Sequence, residues 1–508
     1  MSKELTLEEI QNFKGKYPKQ IWSLFFSEMW ERFCFYGMRG MLVFFMIDQL
    51  KFEEAQSQLQ YAAIQAFVYA FTFVGGLFAD KILGFRKSLF WGGILMILGS
   101  ILLATDPHNF FFLGMAFTVV GTGFFKPNIS TMVGELYKKG DDRTDAGFSL
   151  FYAGINLGAF LGGYVCIAIG KGHMLTDIID VAHRWNVAFG LAAFVMLISL
   201  INFFFTERHL GPIGLQPRKL LPSGETVRMP MWKEISVYVC TILSIPLIMA
   251  MVKNTDYTDY FMYTVGPLTL LYLFYEMTKV TAVERKKLYA ALVFIIFSII
   301  FWGIYEQAGG SLSIYAAKNL DSNLLGLNLD PNGVNNSGGA FFIILIAPLL
   351  GLLWIWLAKR KVEPNTVIKF GLGFIFLGLG YYVLFATKFF ANADGVTSLN
   401  FFTLALLVIT FGELCLSPIG LSIMTKLSTR NLQGMMMGMW FLASAYGQYV
   451  AGIIGANMSK SAVVGGDNLD RLYAYADGYK EIALYAVIAG VVLILISPLV
   501  RKLMQDVK

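Results

Sequence analysis

Four charged side chains stand inside one apolar run. Glu28, Glu31, Arg32 and Arg39 lie in SEMWERFCFYGMRG (27–40), between the runs 21–26 and 41–47. At ~100° per helical residue, Glu28, Arg32, Phe35 and Arg39 form one narrow stripe, flanked by Glu31 and Tyr36. Glu28 and Arg32, four apart, can pair along the helix. An ion inside a bilayer is costly, so such residues face a bundle interior or a wet cavity. The same pattern recurs further along. GTGFFKPN places Lys126 deep in an apolar run, with no acid within a turn and Pro127 beside it. A buried Lys needs a carboxylate or ligand partner, or must lose its proton. Tyr152 and Asn156 share a helical face, as do Trp302 and Glu306 (with Gln307 alongside), Glu413 and Ser417, and Trp440, Ser444 and Gln448.

These residue types suit the handling of a charged solute and a proton. Lys126 falls on the fourth helix of one half of the chain and Glu413 on the fourth helix of the other. Glu31 and Arg32 fall on the first helix of one half, and Glu306 on its counterpart. Under pseudo-two-fold symmetry, Lys126 and Glu413 face each other across a central cavity with one cationic and one anionic wall. Such a cavity complements a zwitterion with separated charges, such as a short peptide. A lone anion such as nitrate would meet repulsion at Glu413. His108, His173, His183 and His209 all fall in loops or at span ends, which leaves carboxylates as the proton carriers. Cys34, Cys166, Cys240 and Cys415 are widely spaced within apolar runs, and suggest neither a disulfide framework nor a metal site. No cofactor is expected beyond the proton as coupling ion.

The elements that must hold these residues are membrane helices. The 508 residues are 56% apolar and only 15% charged, with mean hydropathy +0.60. Runs of ~20 apolar residues place spans at 21–50, 59–79, 87–105, 110–136, 146–170, 185–205, 235–252, 260–277, 288–312, 338–358, 367–389, 399–425, 434–457 and 481–500. The seventh and eighth are short and interrupted by Pro246, Gly266 and Pro267. An even number of spans puts both termini on one side. The segments on that side carry roughly three times as many Lys and Arg as the opposite loops, which predicts cytoplasmic termini. The polar, basic first twenty residues do not read as a cleavable signal peptide. The net charge of +6 reflects basic loops and implies no nucleic-acid partner.

The layout predicts an all-α polytopic membrane protein. It comprises a cytoplasmic segment 1–20, a six-helix bundle 21–205, a basic linker with an inserted two-helix hairpin 206–284, a second six-helix bundle 285–503 and a tail 504–508. GGLFADKILGFRK (75–87), between spans 2 and 3, resembles the Gly-rich loop of the major facilitator superfamily, with Asp80, Lys81, Gly84, Arg86 and Lys87. Six longer motifs in order resemble the proton-dependent oligopeptide transporter family of that superfamily. They are EMWERFCFYG (28–37), GTGFFKPNIS (121–130), FYAGINLGAF (151–160), FWGIYEQAGGSL (301–312), GELCLSPIGLS (412–422) and MGMWFLASAYGQY (437–449). The family's bacterial members also carry a two-helix insertion, which fits the weak seventh and eighth spans.

The resemblance implies a proton-coupled symporter importing di- and tripeptides by alternating access. It implies that Glu413 binds the peptide amino group with Asn156 nearby, and that Arg32 and Lys126 attract the carboxylate. Tyr36, Tyr69 and Tyr152 would line the site, with Trp302, Trp440 and Ser417 forming side-chain pockets. Glu28, Glu31, Arg32, Lys126 and Glu306 are the proton-coupling set. Arg39 is a gate residue, with Asp321 as candidate partner. The implied setting is a bacterial inner membrane, with peptides, protons and the lipid bilayer as partners and a monomer as working unit. Two departures stand out. The family's helix-1 Tyr pair is Phe35–Tyr36 here. The family's helix-8 Asn is Gly339, and Asn335 or Asn336 is left as a substitute. A membrane enzyme would need a nucleophile–base pair or metal ligands, and no in-span His is present. A peptide receptor could use the same binding residues, but would not need the 6 + 6 plan. Within transporters, a nitrate or drug carrier is the rival reading.

Overall fold

A computed structural model describes residues 5–138, 140–220, 226–417, 420–428, 432–464, 466–505 and 507. Fourteen long helices form the chain: α1 Ile21–Phe44, α2 Glu54–Phe78, α3 Phe85–Thr105, α4 Phe111–Glu135, α5 Thr144–Gly170, α6 Arg184–Thr206, α7 Met231–Lys253, α8 Thr255–Met277, α9 Ala282–Tyr305, α10 Pro331–Lys359, α11 Thr366–Ala386, α12 Leu399–Leu416, α13 Gln433–Val464 and α14 Asn468–Met504. The strands named among the described residues form two short antiparallel hairpins. One pairs 218–220 with 226–228, and the other pairs 323–324 with 327–328. Among the described residues, ten helical stretches are long and apolar enough to cross a membrane by length and composition. α1 is not among them, because every window of that length along it holds at least three of its charges. The architecture is the major facilitator fold, two six-helix bundles with a two-helix insertion.

The chain divides into two compact units, Met1–Met41 with Phe67–Lys253, and Leu42–Ala66 with Asn254–Lys508. In the first unit α3 packs on α4 and on α6. Side chains would hold α3 and α4 apart, so glycines meet there. A Cβ at Gly92 would lie 2.5 Å from the Gly121 carbonyl oxygen, and one at Gly114 would lie 2.8 Å from that of Gly99. Close backbone approach through small residues is how membrane helices gain contact without a hydrophobic driving force. Polar side chains stitch α1 to α6: Ser199 donates to the Ser27 carbonyl at 2.6 Å, and Asn202 to the Ser27 hydroxyl at 2.7 Å. The Gly-rich loop acts as a clamp. Arg86 donates to the carbonyls of Ile213 and Gly211, and Lys87 pairs with Glu234 on α7 at 2.7 Å. Inserted helix α7 therefore packs within this unit, against α4.

The second unit repeats the arrangement. α11 packs on α12 and α14 as α3 packs on α4 and α6. Gly412 and Gly373 meet like Gly92 and Gly121, with a Cβ at Gly412 falling 2.6 Å from the Gly373 oxygen. The other inserted helix, α8, belongs here. Tyr449 donates to Asp259 at 2.6 Å, and Tyr446 to the Met262 carbonyl. The turn between α1 and α2 also lies in this unit, where Glu54 pairs with Arg471 and Gln58 donates to the Gly455 carbonyl at 2.8 Å.

The expected ninth span, 288–312, is broken. α9 stops at Tyr305, a 3-10 turn covers Glu306–Gly309, and a short helix runs Ser311–Asn319. Such a break inside a membrane survives only where side chains replace the lost backbone hydrogen bonds. Asn335 donates to the Ala308 carbonyl and Asn332 to that of Ser313, both at 2.7 Å, and Gln307 donates to Gly303 and Ala451. Over the expected twelfth span, 399–425, the described residues form α12 and a short helix, Gly420–Leu427. Pro418 and Ile419 of the fifth motif lie outside the described residues, as does Arg430 of the following basic loop.

Candidate functional site

In the first unit the α1 stripe is a closed ionic knot. Arg32 lies between two carboxylates, with its Nε 3.2 Å from Glu28 Oε1 and its fork donating to Glu31. All three side chains are buried, at 1% relative exposure or less. The guanidinium also lies 5.1 Å from the centroid of the Phe35 ring. The Tyr hydroxyl absent at Phe35 thus leaves a ring that still supports the cation. Glu28 Oε2 has no hydrogen-bond partner among the described residues. One guanidinium cannot neutralise two ionised carboxylates, so the knot calls for one more positive charge or for a proton on one of the acids.

Lys126, half-buried, is the nearby candidate. Its charge interacts with those of Arg32, Glu31, Glu28 and Arg39. Its Nζ sits 4.8 Å over the Tyr69 ring, and no carboxylate lies within ion-pair distance of it among the described residues. Arg39 covers the Tyr36 ring at 5.8 Å. α5 passes tightly behind α1 because Gly158 carries no side chain: a Cβ there would be 2.1 Å from the Met29 oxygen and 3.0 Å from Arg32 Cβ. On α5 Tyr152 is half-buried, and Asn156 donates to the Tyr152 carbonyl at 2.9 Å. One donor of the Asn156 amide is thereby turned onto its own helix.

The second unit gathers Glu413, Trp302, Glu306, Ser417 and Trp440 on α9, α12, α13 and the adjoining turns. Glu413, 8% exposed, accepts a hydrogen bond from the Tyr305 hydroxyl. Trp302 stands edge-on to Tyr305 at 5.3 Å, half-buried, with an indole N–H that has no partner among the described residues. Trp440 is buried against Gly420, Ser417 is half-buried, and Glu306 is buried in the turn that ends α9. Asp321 does structural work. Its Oδ1 accepts from the amides of Asn323 and Leu399, both at 3.1 Å, fixing the hairpin and the start of α12. Asn335, one of the two candidates for the absent helix-8 Asn, is buried, and its amide donates to Ala308 and Ser313.

Sequence reasoning passed over Tyr305. It stands inside the quoted motif FWGIYEQAGGSL, three residues after Trp302, so the helical face that selected Trp302 carried the signal. Thr410, three residues before Glu413, was passed over too. No group of three or more His, Cys, Asp or Glu among the described residues can hold a metal ion.

Comparison with known proteins gives one answer along the whole chain. The profile of the POT family matches residues 86–470. A protein of Yersinia enterocolitica described as a peptide transporter is 32% identical, with 96% of each chain covered. A di-/tripeptide transporter of Lactococcus lactis is 31% identical, with 97% of each chain covered. A crystal structure of a mutant of the peptide transporter POT in complex with alafosfalin superposes with a TM-score of 0.79. It is 30% identical and covers 99% of this chain and 100% of its own.

Proposed function

The chain belongs to the POT family, a multi-span membrane transporter and not an enzyme, and from that premise we propose that it imports di- and tripeptides together with protons. One observation carries the reading beyond kinship. Cations and a buried carboxylate stand on separate units: buried Arg32 and half-buried Lys126 in one, Glu413 in the other. A zwitterion with charges at its two ends satisfies both sets, while a simple anion satisfies only the first. In this reading Lys126 and Arg32 take the peptide carboxylate and Glu413 takes the ammonium. Tyr36, Tyr69, Tyr152 and Asn156 line the first unit's share of the site, and Trp302, Ser417 and Trp440 that of the second. Arg39 serves as a gate residue, with Asp321 held as its candidate partner.

The proton acts on the knot. With Glu31 ionised, Arg32 is held on α1. A proton on Glu31, or on Glu28, loosens that hold and leaves the guanidinium for the peptide carboxylate. Loss of the proton inside rebuilds the knot and expels the peptide. Glu306 is the corresponding carrier in the second unit. Each ligand thereby biases one two-state equilibrium. The membrane potential contributes about 2.3 kcal/mol per charge per 100 mV. The setting is a bacterial inner membrane with both termini cytoplasmic and a monomer as the working unit.

The test is uptake of a labelled dipeptide into proteoliposomes under an imposed inward pH gradient. Accumulation that follows the gradient is expected. Binding without transport would favour a receptor, and transport indifferent to the gradient a facilitator. Glu31→Gln is expected to abolish accumulation while leaving peptide counterflow, and full accumulation in that variant would remove Glu31 from the coupling.

A further inference from the structure

Glycine inside a helix costs about 1 kcal/mol relative to alanine, so it needs a reason. At many helix glycines of the second unit the reason is a close neighbour. An added Cβ would come to 2.6 Å from the Gly373 carbonyl oxygen at Gly412, 2.8 Å from the Gly371 carbonyl oxygen at Gly490, 2.6 Å from the Ile494 side chain at Gly371 and 2.4 Å from the Trp302 side chain at Gly447. Gly339 on α10 is different. Its added Cβ would meet nothing closer than the Tyr305 hydroxyl at 3.9 Å and the Thr410 hydroxyl at 4.0 Å. The position is half-buried. Helix packing therefore does not demand glycine there; its effect is a carbon-sized space walled by two hydroxyls.

Both hydroxyls have their protons directed elsewhere. Tyr305 donates to Glu413, and Thr410 donates to the Leu406 carbonyl at 2.8 Å. A hydroxyl has one proton and two lone pairs, so each oxygen beside this space can act as an acceptor. With the Glu413 carboxylate they make three acceptors, the number of protons on a primary ammonium. Glu413 and Thr410 are buried, and Tyr305 and Gly339 half-buried.

We propose that Glu413, Tyr305 and Thr410 form a three-acceptor seat for the peptide's terminal ammonium, and that Gly339 leaves room beside it for one methyl group, so that peptides with an N-methylated amino end are substrates. This rests on the reading that Glu413 takes the amino end, and deepens it. A secondary ammonium keeps two N–H donors, enough for the carboxylate and one hydroxyl. Its methyl occupies the space above Gly339.

The experiment compares glycyl-alanine with sarcosyl-alanine, its N-methyl form, in proteoliposomes of the full chain. The wild type is expected to transport both, with kcat/KM within about threefold. Gly339→Ala fills the space without a clash. It should lower kcat/KM for sarcosyl-alanine about tenfold relative to that for glycyl-alanine. Tyr305→Phe and Thr410→Val should each raise the KM for glycyl-alanine about tenfold with kcat kept, and Thr410→Ser should restore it. A wild type inert towards glycyl-alanine would sink the peptide reading and the seat together. A wild type that transports glycyl-alanine but rejects sarcosyl-alanine, or whose KM ignores both hydroxyl substitutions, would sink the seat alone.

Discussion

The ionic knot on α1 and the carboxylate on α12 treat buried charge in opposite ways. In the knot, Glu28, Glu31 and Arg32 sit within five residues of one helix, and the acids are met by a cation. On α12, Glu413 is met by a neutral hydroxyl from α9. The first arrangement is local and ionic; the second is assembled by tertiary packing. A buried ion pair contributes little net stability, but removing one partner strands the other. Stability should therefore depend on the knot, and substrate affinity on Glu413.

The sharpest way to break this contrast is to remove each centre. Arg32→Ala strands two buried carboxylates and should cost about 3–5 kcal/mol of stability, read as a lowered melting temperature in detergent together with lost uptake. Glu413→Gln keeps the volume and the bond from Tyr305. Its stability should stay within about 1 kcal/mol of wild type, while its KM for dipeptides rises. An Arg32→Ala protein that melts like the wild type would erase the distinction.

A smaller effect separates the glycines beside the two centres. Gly158→Ala pushes a carbon to within 2.1 Å of the Met29 oxygen, between α5 and the knot, and should destabilise by about 1–3 kcal/mol. Gly339→Ala should be neutral or slightly stabilising in the same melting assay. Equal effects would mean that both glycines serve packing.

The smallest effect concerns an ion pair outside the membrane. Asp141 is 2.7 Å from Arg143, whose other nitrogen donates to the carbonyls of Phe13 and Gly15. The hydrogen bond from the Arg143 side chain holds the Asp141 carboxyl down at about 2. A depressed folded-state value means that its contribution is present above the ordinary carboxylate range, near pH 4, and is lost as pH falls through about 2. Melting profiles of wild type and Asp141→Asn should differ by a small amount at pH 5 and converge towards pH 2. Unlike the buried knot, this exposed pair should also weaken with salt.

Much of this was legible in the sequence. Apolar runs located the helices, and the in-span charges singled out Glu28, Glu31, Arg32, Lys126, Glu306 and Glu413, because charge in a membrane helix is rare enough to stand out. Tyr305, Thr410 and Gly339 did not stand out. Hydroxyls and glycines are common in membrane helices, and their meaning comes from what lies opposite them. The break after Tyr305 was also hidden, since Glu306–Gly309 falls inside the run 288–312 that hydropathy reads as one span. It is held by Asn335, 27 residues beyond the Ala308 carbonyl that it binds, and by Asn332, 19 residues beyond that of Ser313.

By itself, then, the sequence determined everything that follows from period and transfer free energy: fourteen helices, two halves with an insertion, and a charged stripe on α1 whose partners lie one turn apart. Tertiary structure decided what depends on facing partners. It sent α7 to one unit and α8 to the other, turned Asn335 to the backbone and tied Asp321 to the start of α12. It also brought the Tyr305 hydroxyl to Glu413. Hydrophobicity and helical spacing are properties of one segment, whereas a hydrogen bond between helices needs the position of both, and only the packed chain supplies it.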